Sequence, residues 1–299
     1  MRYNEDIKNL GKIGWRDVVI MGMTQEKLYN LIQLQPEIIQ KLKLMDSHMD
    51  MKAVENELNQ MVDRKSSWEA YQRLKTIFQE DEEHLRMLYC QLECACRIYE
   101  KYVEKNIPVN IYIDTMKCFT RFMEECKKKN GRMFFDRGWW TYRQVSMSLF
   151  RIGALEYEFK EYNRENVIAV HIPSDADLSL ASVSQSMEQA EKFFKAYYSD
   201  YQFCKYTCNS WLLSPVLKPL LSRESNILSF QERFDIIEEN QDDKEFLEWL
   251  FRAPADTEYS NLPSVTSLQK RVKTLLQNGR TVGSAYGILK KRCRNWIKV

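Results

Sequence analysis

The sequence predicts an α+β protein of two domains, an all-helical N-terminal domain followed by a domain built on a mixed α/β sheet. Three observations carry this. Through the first half of the chain, apolar residues recur every three or four positions. Beyond Phe150 the period falls to two. The chain's 299 residues, 44% of them apolar, exceed the usual size of one domain and supply core enough for two. The divide is expected within residues 126–137, giving domains 1–130 and 131–299.

The helical elements come first. Residues from Gln25 to about Leu44 carry apolar side chains at helical spacing, interrupted before Pro36. Leu85, Leu88, Leu92, Ala95, Tyr99 and Tyr102 form the clearest stripe, one face of a long helix turned to a core. Another helix opens after Asn106 with Pro108 in its first turn, where a missing N–H costs nothing. Its stripe is Val109, Tyr112, Met116, Phe119, Met123 and Cys126. It ends at Lys127-Lys128-Lys129-Asn130-Gly131, cations that suit the negative helix terminus followed by residues that accept a left-handed cap. One more helix is expected over Trp139–Phe150.

In the second half Leu155, Tyr157 and Phe159 alternate with Glu156, Glu158 and Lys160, a strand read as having one wet face. A turn over Asn163–Asn166 leads to Val167–Ile172, apolar on both faces except at His171, as in a central strand. A helix is expected over Ser182–Tyr198, a strand over Phe203–Leu213, a short helix punctuated by Pro215 and Pro219, and a long strand over Ile227–Ile237. Helices at Asp243–Phe251 and Thr266–Gln277 and a strand at Ala285–Leu289 complete the order β-β-α-β-α-β-α-α-β.

Composition narrows the function. The net charge of +2, from 44 basic and 42 acidic residues, gives no overall drive toward nucleic acid or anionic membrane. No run approaches the ~18 apolar residues that span a bilayer. The start, Met1 to Asp6, lacks a secretory pattern, so a cytoplasmic location is expected. There the eight cysteines stay thiols, and Cys90, Cys94, Cys96, Cys118 and Cys126 read as small buried hydrophobes. With three histidines (His48, His84, His171) and no paired Cys/His spacing, no metal is expected.

Four segments, in order and spacing, carry a family resemblance: Gly138-Trp-Trp with Leu149-Phe-Arg-Ile-Gly-Ala-Leu-Glu-Tyr-Glu-Phe159; Val170-His-Ile-Pro173; Cys208-Asn-Ser-Trp-Leu-Leu-Ser-Pro215; and Ser225-Asn-Ile-Leu-Ser-Phe-Gln-Glu-Arg-Phe234. They resemble bacterial acyltransferase domain-containing proteins, which have a helical N-acyltransferase N-terminal domain and a GNAT-like C-terminal domain. The resemblance implies a GNAT-like sheet, CoA or acyl-CoA as co-substrate, and an amine acceptor. The sequence departs from the GNAT pattern at one place. GNAT enzymes cradle the CoA pyrophosphate on a Gly-rich loop and a helix N-terminus. Here the corresponding loop, residues 173–183, has no glycine and carries Asp175 and Asp177. The glycine phrase Gly279–Gly287 follows a helix and precedes a strand, and reads as a turn.

Acyl transfer to an amine needs a base, oxyanion donors and a proton for the leaving thiolate. His171, at the end of a strand apolar on both faces, is the first candidate base; a core histidine ordering the Pro173 loop is the alternative. Glu232, on the strand face of Leu228, Phe230, Phe234 and Ile236, is the second; a bulge near Gln231 would turn it outward. Cys208 is a candidate acyl acceptor or a structural thiol. For the donor, Val170, Ile172, Ser174 and Ser210 are the expected contacts. Glu156 and Glu158 are expected in solvent, on a face that could meet an amine. The basic tail Lys290–Lys298 is expected to be solvated. The leading reading is an acyl-CoA-dependent N-acyltransferase for a small amine or amino-acid-like acceptor. A catalytically silent ligand-binding or interaction module stands beside it, and a nucleic-acid binder further behind.

Overall fold

A computed structural model describes residues 22–46, 49–81 and 83–290. The N-terminal hexapeptide, His48 and the basic tail beyond Lys290 lie outside them. The chain forms two compact units, residues 1–150 and 151–299.

The first unit is helical throughout its described part up to Val145. Its helices are α1 (Gln25–Ile32), α2 (Pro36–Asp46), α3 (Glu55–Met61), α4 (Ser67–Ile77), α5 (Leu85–Glu104), α6 (Val109–Met116), α7 (Cys118–Asn130) and α8 (Gly138–Val145). The 20-residue α5 is the hub, packing against α1, α2, α3, α6 and α8. Five of the six stripe residues are buried as the spacing foretold, Leu88, Leu92, Ala95, Tyr99 and Tyr102, while Leu85 at the helix start is half-buried. Burying each leucine side chain contributes about 1.5–3 kcal/mol. The fully buried Gln91 is satisfied there, donating to the Gly138 carbonyl at 2.9 Å and accepting from the Thr141 hydroxyl. The single helix expected after Asn106 is two, broken at Lys117, yet Tyr112, Met116, Phe119, Met123 and Cys126 all stay buried. The five cysteines expected in the core are buried.

The helix expected over Trp139–Phe150 stops at Val145. Met147 takes a left-handed φ of 54°, which ends the helix, and Leu149–Ile152 becomes a strand, β1. The others are β2 (Leu155–Tyr162), β3 (Glu165–His171), β4 (Lys205–Ser210), β5 (Phe234–Asn240) and β6 (Ser284–Leu289). Their order in the sheet is β1-β2-β3-β4-β6-β5. Helix α9 (Leu180–Tyr197) is the crossover that lets β3 and β4 run parallel; β2–β3, β4–β6 and β5–β6 are antiparallel. Between β2 and β3 the chain turns on two residues only, Asn163 (φ 51°) and Arg164 (φ 65°). Two left-handed residues match the strand twist and lock the register.

The long strand expected over Ile227–Ile237 is a correction. Residues Asn226–Gln231 form a short helix, α10, and β5 begins only at Phe234. Ile227, Phe230 and Gln231 fit one helical turn as well as a strand, and short apolar runs do not decide between them. The side chain of Gln231 settles it, donating to the Leu212 and Ser214 carbonyls at 2.7 and 3.0 Å. The expected strand to Leu213 ends at Ser210, where a 3₁₀ turn takes over. Helices α11 (Glu245–Phe251) and α12 (Ser267–Gln277) pack with Trp211, Leu212 and Leu217 in a second apolar core. The glycine phrase is a turn only over its first half, since Ser284–Gly287 already belongs to β6; Gly283 ends that turn at a φ of 65°, where a Cβ would lie 2.4 Å from the Asn240 carbonyl oxygen.

Candidate active site

Side chains alternate across a strand, so the register sorts the sheet into two faces. One carries Tyr157, Phe159, Ile168, Val170, Tyr206 and Cys208. Helix α9 covers it, with the Phe194 ring 6.4, 5.3 and 6.5 Å from the rings of Tyr157, Phe159 and Tyr206. The other face carries Glu156, Glu158, Ala169, His171, Thr207, Asn209 and Tyr286.

The parallel pairing of β3 and β4 is short. Val167 pairs Lys205, Ile168 pairs Tyr206, Ala169 pairs Thr207, and there it stops. Beyond that point Val170 and His171 pair with β2, while Cys208, Asn209 and Ser210 pair with β6. The two central strands thus part at their carboxyl ends, and their facing backbone edges leave the mutual ladder. Backbone N–H and C=O groups demand partners, so such an opening suits an extended, amide-bearing chain.

His171 stands at this opening. Its Nε2 lies 2.8 Å from Oε2 of Glu158, across the β2–β3 hairpin. The register explains the contact: His171 lies opposite Glu156 and diagonal to Glu158, within reach of long side chains. The expectation that Glu156 and Glu158 face solvent is wrong. They are only 2% and 8% exposed. Alternation reports which face a residue is on, not whether that face is wet. A buried carboxylate is costly unless paired, and the imidazole supplies Glu158 with a partner.

The other candidates fall elsewhere. Cys208 is on the α9 face, opposite to His171, and burial pushes its thiol up to about 12. A thiol so placed holds almost no thiolate near neutrality. Ser210 shares that face and caps the 3₁₀ turn, accepting from the Leu212 amide at 3.1 Å. Val170 is buried toward α9, Ile172 packs against the second core, and Ser174 is exposed on the following loop. Glu232 is corrected: it caps the end of α10 in solvent, outside any strand face, and its carbonyl accepts from the Lys290 ammonium at 2.8 Å. The site brings together His171 and Glu158, and leaves Cys208, Ser210 and Glu232 apart from them.

The glycine-free loop has its own logic. Asp175 pairs with Arg151 at 2.9 Å. Asp177 turns back on the start of α9, accepting from the Ser179 amide and hydroxyl, both at 2.9 Å, and from the Ser182 hydroxyl. These bonds, that of Ser182 foremost, hold its carboxyl below the usual range. A carboxylate thus sits where a helix would offer its amides to phosphate.

No curated protein matches the sequence. The fold is similar to that of solved acyltransferases. One, in complex with decanoyl-CoA and teicoplanin, superposes with a TM-score of 0.75 at 17% identity, over 89% of this chain and 87% of its own. A second, in complex with CoA and 10C-teicoplanin, gives 0.75 at 18% identity, over 90% and 88%. A third, with decanoyl-CoA, gives 0.65 at 24% identity, over 70% and 67%. Residues 23–147 match the N-acyltransferase N-terminal domain, and residues 149–289 match the GNAT-like C-terminal domain. The chain therefore joins an N-acyltransferase N-terminal domain to a GNAT-like C-terminal domain, the family that its four sequence segments resemble.

Proposed function

We propose that the protein is an acyl-CoA-dependent N-acyltransferase that moves an acyl group from the CoA thioester to the primary amine of a small or amino-acid-like acceptor. The observation that carries this reading is the parting of β3 and β4 beyond Ala169 and Thr207, with His171 at the opening. The pantetheine arm has two amides and is extended. In the opening it would take up the freed backbone groups of β3 and β4, with Val170 and Ile172 beside it.

Transfer is direct in this reading. The amine nitrogen attacks the thioester carbon, the N–C bond forms, and the C–S bond breaks. His171 takes the proton lost by the amine nitrogen and passes it to the departing thiolate, so that CoA leaves as the thiol and the imidazole returns to its neutral form. Backbone N–H groups at the open edge of the strands are the candidates for holding the developing oxyanion. Cys208 takes no part, because a buried thiol pushed up to about 12 is a poor nucleophile and lies on the other face. The likeness to acyltransferases in complex with decanoyl-CoA and teicoplanin favours a long acyl chain and puts teicoplanin among the acceptors to try.

One observation favours a second reading, a ligand-binding module without catalysis: Asp177 occupies the α9 N-terminus that would otherwise contact the donor's pyrophosphate. A transfer assay separates the two. The full chain is incubated with decanoyl-CoA and a panel of primary amines that includes teicoplanin, following thiol release and the mass of the acylated amine. Amine-dependent thiol release with an N-acyl product is expected. Release no faster than hydrolysis in water, for every amine, would favour the binding module.

A further inference from the structure

The mechanism above asks one imidazole to take a proton, and a histidine ring has two nitrogens with different roles. We infer that Glu158 is a positioning residue that fixes the tautomer and orientation of His171, so that Nε2 carries the hydrogen and Nδ1 is the proton acceptor. The inference rests on the reading of His171 as the base.

The geometry supports it at three levels. The two-residue turn at Asn163-Arg164 pairs Tyr162 with Glu165, and every later pairing follows from that register. His171 thereby comes diagonal to Glu158, and the ring nitrogen meets the carboxylate at 2.8 Å. The contact is sheltered, with the two side chains 20% and 10% exposed. A carboxylate only accepts hydrogen bonds, so the nitrogen facing it must be a donor. In the neutral ring that leaves the lone pair on Nδ1. When Nδ1 takes a proton, the imidazolium forms beside an anion already in place, with no reorganisation at the moment of reaction. Glu158 touches neither donor nor acceptor in this account; it acts only through His171. Both residues sit inside one regular hairpin ladder, so the ring is aimed by rigid elements rather than by a loop.

With only three histidines in the chain, ¹⁵N NMR of the imidazole nitrogens reads the tautomer without any ligand. In the wild-type protein the His171 signals should show protonated Nε2 and unprotonated Nδ1. In Glu158→Gln, whose amide can face the ring either way, and in Glu158→Ala, they should show a mixture of tautomers. The kinetic arm uses decanoyl-CoA with an amine at saturation. Glu158→Gln should lower kcat about tenfold with KM for decanoyl-CoA within about twofold, because a positioning residue acts on the chemical step. In the variant His171→Gln, which keeps a donor toward Glu158, kcat should fall about 10²-fold. The double variant should be no slower than His171→Gln alone, since Glu158 then has nothing to position. Unchanged tautomer signals in both Glu158 variants, or single effects that multiply in the double variant, would overturn the inference. If even the wild-type protein consumes no thioester, the reading of function fails instead, and the NMR arm still decides whether Glu158 sets the tautomer.

Discussion

The two faces of the C-terminal sheet bury their side chains at the same strand ends by opposite means. On the α9 face the neighbours are rings: Phe194 meets Tyr157, Phe159 and Tyr206, and Cys208 is sealed beside them. On the other face the buried groups include two carboxylates beside Ala169 and Thr207, and one of them, Glu158, meets His171 at 2.8 Å. Burial on the first face silences a potential nucleophile by taking its thiolate out of water. On the second it brings an acid and a base into contact. Whether a residue type associated with catalysis can act is thus decided by what faces it, not by how deeply it lies.

This contrast can be broken most forcefully from the ring side. Phe194→Ala removes the ring at the centre of the α9 face and should cost about 3–5 kcal/mol of stability by denaturant titration. A loss below ~1 kcal/mol would mean that face is not the packed one. Next, His171→Ala should lower kcat by about 10²-fold or more, about 2.7 kcal/mol of barrier, while the protein stays folded by circular dichroism. Normal turnover in that variant would remove the polar face from the chemistry.

Cys208→Ala should change kcat by less than about twofold, at a stability cost of roughly 1 kcal/mol for the small cavity. Consistent with a thiol pushed up to about 12, Cys208 should resist iodoacetamide in the native protein at pH 8 and react on unfolding. Rapid native labelling of Cys208, found by peptide mass, would contradict its place on the sealed face.

The smallest effect concerns the loop after β3. The Asp177 carboxyl is lowered by hydrogen bonds made in the folded state. Its contribution to stability is therefore present above its unfolded pKa and lost as pH falls through its lowered folded value. Asp177→Asn should lower the melting temperature slightly at neutral pH, with the difference from wild type closing in strong acid. If the difference instead widens with acid, the carboxylate does not support the Ser179 cap of α9.

Much of this architecture was legible in the residues. The stripe of α5, the β2 and β3 strands and the α9 crossover follow from period and punctuation alone, whereas β1 was read as the end of a helix and α10 as part of a strand. His171 was legible too, as a lone polar residue closing an apolar strand. Its partner was missed through a count of two residues. Reading the turn as Asn163–Asn166 leaves the hairpin register open, whereas a turn at Asn163-Arg164 fixes it and sets Glu158 diagonal to His171. Glu232 was misplaced for another reason. Apolar residues at 227, 228, 230 and 234 satisfy a strand and a helical turn equally, and the choice is made by Gln231 binding carbonyls that are distant in sequence. A tertiary hydrogen bond of that kind leaves no local pattern to read.

The central claim is that the opening between β3 and β4 holds the pantetheine arm of an acyl-CoA. Thermal unfolding of the full chain with a series of CoA thioesters, from acetyl to decanoyl, tests it without knowledge of the acceptor. A ligand that binds only the folded protein stabilises it by about 2.7 kcal/mol at a hundredfold excess over Kd. For a chain of this size that is a rise on the order of several degrees. The account predicts such a rise, at least as large for the longer chains as for acetyl, because each further buried methylene contributes up to about 0.8 kcal/mol. No rise with any thioester at millimolar concentration, on protein shown to be folded, would contradict it.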